Sequence, residues 1–236
     1  MRTTATLSTV SALFLLLVAQ YPSLSQGKAK ANPKLLVTEC AQDGVEAWIP
    51  YSSKRTKVAQ IDDVELDGGF PSNDEGPTFW FVREGKDIFE ASVNDFYSAN
   101  AWIAIDHDRP LRSESNHARV AITYFVEAVG GGELVRVFLI DGSDVRDVSK
   151  SIDAAVADFR ARHYCEARGN TVAALKWIHG DLLLLTQVYP TGDCGPDAGH
   201  MEGYLVSVPE GKIVRHMRLS QLKRYPGVCL ENYAKN

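Results

Sequence analysis

The stretch Val120 to Asp141 reads VAITYFVEAVGGGELVRVFLID. Two runs rich in Val, Ile, Phe and Tyr flank Gly130-Gly131-Gly132, and branched and aromatic side chains suit the half-buried surface of a sheet. The stretch therefore reads as two antiparallel strands meeting at a glycine tip. An oxyanion hole at the same glycines would call for a helix after them, and a strand follows.

The pattern repeats outward in both directions. Upstream, Trp102 to Asp106 is a short strand, Thr78 to Arg83 and Asp87 to Val93 flank the turn Glu84-Gly85-Lys86, and Lys34 to Cys40 and Val45 to Tyr51 flank Asp43-Gly44. Downstream, Thr171 to His179 and Leu182 to Tyr189 bracket Gly180-Asp181, and Gly203 to Val208 and Ile213 to Leu219 bracket Pro209-Glu210-Gly211-Lys212. The run Leu182 to Leu185 lacks alternation, which predicts a strand covered on both faces. These last two hairpins have the pattern of one propeller blade, but no period of about 40 residues recurs in the chain, which excludes a propeller.

One helix is predicted. Val148, Ile152, Ala155, Val156, Phe159 and His163 form one stripe at helical spacing, with Lys150, Asp153, Arg160 and Arg162 opposite and Gly169-Asn170 as the stop. On that stripe His163 reads as a histidine at the core edge. The expected fold class is α+β: mainly antiparallel β with one principal amphipathic helix, about residues 148–164, covering a sheet.

Residues 1–25 read as a cleaved signal peptide: Arg2 supplies a charge, Val10 to Ala19 an apolar core, and small residues lie before a cut after Ser25. Ten apolar residues make ~15 Å of helix, half of a ~30 Å hydrocarbon layer. Residues 26–236 are expected to be a single domain without a stable membrane anchor, periplasmic or secreted. At 45% hydrophobic and 23% charged the composition is globular, and a net charge of -5 argues against nucleic acid as a partner. Charge is uneven: Glu39 to Asp95 holds 13 acids against 5 bases, and Lys212 to Asn236 holds 6 bases against Glu231. Two solvated faces are the simplest account of that asymmetry.

Cys40, Cys165, Cys194 and Cys229 are an even set in an exported chain, which predicts two disulfides, preferably Cys165–Cys194 and Cys40–Cys229. No CxxC pair is present to make a zinc site from them.

Two polar constellations are candidates for chemistry. Asp106, His107 and His117 lie at the end of a strand and in the loop after it, where a carboxylate beside imidazoles suits acid–base work. Asp193, Asp197, His200 and Glu202 offer oxygen and nitrogen ligands in a glycine-rich turn that lacks the spacing of a calcium loop. Both also read as structural turns, the second pinned by Cys194. Nucleophile-elbow, phosphate-loop and dinucleotide motifs are absent, and no cofactor is expected. The leading expectation is a non-catalytic interaction or inhibitor-type factor whose partner is another envelope or extracellular protein. The alternatives are a hydrolase or metal-dependent enzyme using an Asp/His cluster, and a glycan or small-ligand binder using Trp48, Trp80, Trp102 and Trp177.

Overall fold

The computed structural model describes residues 44–49, 55–71, 76–93, 100–106, 117–126, 132–163, 171–189, 192–226 and 228, all within one compact unit. The signal-peptide reading, the strand Lys34 to Cys40, and His107, Cys40, Cys165 and Cys229 lie outside these residues.

Thirteen strands are described: β1 (Gly44–Trp48), β2 (Thr56–Ile61), β3 (Val64–Gly69), β4 (Thr78–Arg83), β5 (Lys86–Ser92), β6 (Asn100–Ile105), β7 (His117–Val126), β8 (Gly132–Asp141), β9 (Asp144–Asp147), β10 (Thr171–Ile178), β11 (Asp181–Gln187), β12 (Met201–Ser207) and β13 (Ile213–Arg218). They form three antiparallel sheets ordered β2-β3-β4-β5, β1-β6-β7-β8-β9 and β10-β11-β12-β13. Two tight turns show why the chain reverses where it does. Glu84 and Gly85 both have positive φ (51° and 73°), as do His179 and Gly180 (50° and 87°), the backbone twist that suits a two-residue hairpin. A Cβ at Gly180 would also lie 2.6 Å from Nη1 of Arg119, so the end of that side chain would have to shift.

The five-stranded sheet is the middle layer. Val120, Ile122 and Tyr124 of β7 and Phe138 and Ile140 of β8 share one core with Leu66, Phe79 and Phe81 of the first sheet. Their alternates Ala121, Val135 and Val137 share a second core with Val172, Ala174, Leu182 and Leu184 of the third sheet. Leu183 and Leu185 point the other way, into a third core with Met217 and with Leu222 of a short helix, α2 (Leu219–Leu222). The leucine run is thus covered on both faces, as its lack of alternation requires.

The second core also holds a polar tie between sheets. Thr123 is fully buried on β7, and its hydroxyl accepts the N–H of Ala174 at 2.9 Å, where the β10–β11 register shifts. Thr123→Val keeps the shape but leaves that N–H unpaired and buried, so it should cost about 1–3 kcal/mol in urea unfolding at unchanged m. A loss below about 0.5 kcal/mol would show that the N–H finds another acceptor.

The α+β expectation is overturned. The protein is mostly antiparallel β in three sheets, and no amphipathic helix over 148–164 covers a sheet. The six stripe residues are divided among different local structures. Val148 donates its N–H to Val137 O at 2.8 Å at the end of β9, Ser149–Ile152 is a 3₁₀ turn, α1 runs only from Asp153–Arg162, and His163 has left the helix with φ -131°. Within α1 only Ala155 and Phe159 are buried, so it fills a gap in the second core.

Four acids of the acidic segment are paired within its own sheet. Arg55 bonds Asp67 at 2.7 Å and also holds Asp87, Arg83 holds Asp63 at 2.8 Å, and Lys57 holds Glu65 at 2.7 Å. Among the described residues no helix is long and apolar enough to cross a membrane.

Candidate histidine–carboxylate centre

Alternation along β12 sends Glu202, Tyr204 and Val206 toward the second core, and Thr186 on β11 bonds the Glu202 carbonyl at 3.2 Å. Across the ladder, Tyr204 pairs with His216 and Glu202 with Arg218. His200 lies two residues before Glu202. It is held by its own N–H to Asp197 O (2.8 Å) and by its carbonyl, which accepts the Val188 N–H (2.9 Å). Arg162 ends α1 and His163 follows it, its N–H still bonded to Phe159 O at 2.9 Å.

These elements bring three imidazoles to one carboxylate, and the Glu202 side chain is only 7% exposed. Its Oε1 lies 3.2 Å from Nε2 of His163 and 3.3 Å from Nε2 of His200. Its Oε2 lies 2.9 Å from Nε2 of His216, accepts a 2.7 Å bond from Arg162 Nη2, and is 3.3 Å from the Tyr204 hydroxyl. The guanidinium spans both oxygens, since Arg162 Nη1 also donates to Oε1 at 3.3 Å. Oε2 additionally meets His216, while Oε1 lies between two imidazoles whose rings stack at 4.1 Å. Tyr204 donates to Asp158 at 2.9 Å and Arg162 bonds the same Asp158 oxygen at 2.9 Å. Asp197 Oδ2 lies 3.5 Å from Nδ1 of His163.

Burial alone would raise the Glu202 pKa. The bonds from His200, His163 and His216 outweigh it and hold the carboxyl down at about 2. Burial and the bond to Asp158 push the Tyr204 phenol well above its ordinary range. With neutral imidazoles, Glu202, Asp158 and Asp197 against Arg162 leave the cluster at a formal charge of -2, which suits a divalent cation.

The donor set matches one as well. One ligand atom each from His163, His200 and Glu202 lies within 4.8 Å of the others. The 3.2 and 3.3 Å nitrogen-to-oxygen separations are near the ~3.3 Å edge of a tetrahedron with ~2.0–2.1 Å bonds. Two imidazoles and a carboxylate suit zinc and its neighbours, and three protein ligands leave a position for water.

Of the residues expected from sequence, His200 and Glu202 are in the centre and Asp197 is beside it. The side chain of Asp193 lies outside the description. Asp106, just after β6, is held in an ion pair with Arg119 at 2.8 Å. His117 is in β7 opposite Asp141, its side chain also undescribed. Cys194 is buried and disulfide-bonded to a residue outside the description. Trp80, Trp102 and Trp177 are buried, with Trp177 Nε1 donating to Ala104 O at 3.0 Å, so these three form no sugar platform. Sequence reasoning missed His216, Arg162 and Tyr204, and gave His163 a packing role alone. The i, i+2 spacing of His200, Glu202 and Tyr204 was the available signal. No protein-family model, curated protein or solved structure matches this chain.

Proposed function

We propose that this exported chain is a metal-dependent protein of hydrolytic type, holding one divalent transition-metal ion, zinc in the first place, through His163, His200 and Glu202. The observation that supports this reading is that two imidazole nitrogens meet one oxygen of a buried, anchored carboxylate. An ion there would replace the proton each ring nitrogen now presents to Oε1 and keep an open position, where a bound water is acidified toward neutral pH. The partly exposed His200 leaves that side in reach of solvent. The reading departs from the expectation that no cofactor is needed, and it is preferred to the interaction-factor alternative because the histidine–carboxylate cluster offers a specific ligand set.

Zinc titration of the chelator-treated chain tests it. One equivalent should bind, and His163→Ala and His200→Ala should each weaken binding by about 100-fold, one ligand's share of a typical site. Absence of binding at 10 µM-scale zinc (roughly -7 kcal/mol), or parent-like affinity in either variant, would refute the reading.

A further inference from the structure

We infer that Asp197 is the outer carboxylate of this centre, accepting the Nδ1–H of His163 and so fixing the tautomer whose Nε2 is free to take the ion. The inference rests on the metal reading above.

The imidazole of His163 is the observation that carries it. Glu202 is an acceptor only, so the 3.2 Å contact places the ring proton of His163 on Nε2. In the neutral ring Nδ1 is then a bare acceptor, and it is buried with no hydrogen-bond partner. The Asp197 carboxylate, another acceptor, lies 3.5 Å from it. Two acceptors facing each other leave the buried Nδ1 without a bond, although the Asp197 carboxylate itself is open to water. Metal binding resolves the mismatch. When the ion takes Nε2, that nitrogen gives up its proton and Nδ1 gains one, so the ring stays neutral and no net proton is released. The new Nδ1–H then points at Asp197, which becomes its acceptor. A carboxylate behind a ligating imidazole orients the ring and raises its basicity.

Asp197 also reaches the second ligand by a different route. Its backbone oxygen accepts the His200 N–H at 2.8 Å, so one residue supports His163 by its side chain and His200 by its main chain. The segment that carries it is constrained. Gly195 turns the chain with φ 61°, Cys194 is buried in its disulfide, and the Gly199 N–H is fixed to Val188 O at 3.2 Å. A substitution at Asp197 therefore removes the side-chain support and leaves the main-chain bond to His200.

Zinc titration of the full chain and of Asp197→Ala, Asp197→Asn and Asp197→Glu tests the assignment, with nitrogen-detected NMR of the His163 ring in the zinc-loaded state. Asp197→Ala should bind one zinc with affinity lowered about 10- to 100-fold, the usual effect of losing such a partner. Asp197→Asn, whose amide oxygen accepts without charge, should fall between it and the parent, and Asp197→Glu should recover part of the loss. The parent's zinc form should show a protected Nδ1–H on His163 that Asp197→Ala loses, a signature that loop loosening alone would not produce. Far-UV circular dichroism checks that each variant folds. If the parent binds zinc and Asp197→Ala binds it equally well, or if Nδ1 proves to be the metal-bound nitrogen, the assignment to Asp197 fails alone. If the parent binds no zinc, the metal reading fails and this inference with it.

Discussion

Glu202→Ala should weaken zinc binding about 100-fold or more and also destabilise the metal-free chain by about 3 kcal/mol or more, the largest combined effect expected of any single change in the cluster. The first effect follows from ligand count. A four-ligand zinc site is worth about 10–16 kcal/mol, so one ligand's share is roughly 3 kcal/mol, and its loss weakens binding by a factor of about 100 or more. The second follows from what the carboxylate leaves behind. Arg162 keeps Asp158, and its head group is partly exposed, which places the cost at the low end of the range for breaking a buried pair. His163 fares worse, because it loses the acceptor of its Nε2 while its Nδ1 already lacks a donor. Glu202→Gln separates the two effects. It keeps the volume and some bonding, so it should retain more stability than the alanine variant while binding zinc as poorly. Equal zinc affinity in parent and Glu202→Gln would remove the carboxylate from the ligand set. A destabilisation below about 1 kcal/mol in Glu202→Ala would mean that the donors around it are satisfied by water.

Much of the sheet structure is legible in the sequence, and the places where it is not have physical causes. VAITYFVE and ELVRVFLID are long, branched and aromatic, and they form β7 and β8 almost to their ends. The hairpin β2–β3 is hidden because TKVAQIDDVELDGG reads as an acidic surface. Its ladder rests on Ala59, Ile61, Val64 and Leu66, small in number but on one face, while its acids pair with Arg55, Arg83 and Lys57. The helix was over-extended for the opposite reason. A 3.6-residue spacing from Val148 to His163 is satisfied on paper by residues that belong to a strand end, a 3₁₀ turn and a ten-residue helix.

The centre is legible by half. His200 and Glu202 lie close in sequence, and their chemistry shows. His163 does pack, its ring 5.1 Å from Phe159, and its second role depends on a carboxylate 39 residues away. His216 could be placed only by knowing a bulge. Counted back from the turn after Ser207, a regular ladder would set Arg215 opposite Tyr204. The irregularity between Leu205 and Val206 shifts the register by one, and His216 takes that place, on the Glu202 face. A single extra residue in the ladder decides whether the cluster has two imidazoles or three.

Acid should weaken the metal-free chain through the same carboxylate, and the direction is fixed by its pKa. In the folded chain burial would raise the Glu202 pKa, but the His200, His163 and His216 contacts hold it at about 2 against an ordinary 4.5. The fold therefore binds this proton less readily than the unfolded chain does. Above pH 4.5 Glu202 is ionised in both states and its full contribution is present. The gap between 4.5 and about 2, at 1.36 kcal/mol per pH unit, makes that about 3 kcal/mol. As pH falls through this window the unfolded state takes up its proton first, so the contribution fades, with about 2 kcal/mol gone by pH 3. Asp147 adds a loss of the same sign: burial would raise its pKa, but bonds from Ser149 and Arg136 lower it. Urea unfolding of the parent alone would mix such contributions, and Glu202→Gln isolates the one at issue. With chelator present, the stability gap between parent and Glu202→Gln should be widest near neutral pH and narrow by about 2 kcal/mol on going to pH 3. A gap that stays constant or widens on acidification would mean that the three imidazoles do not hold Glu202 ionised in the fold.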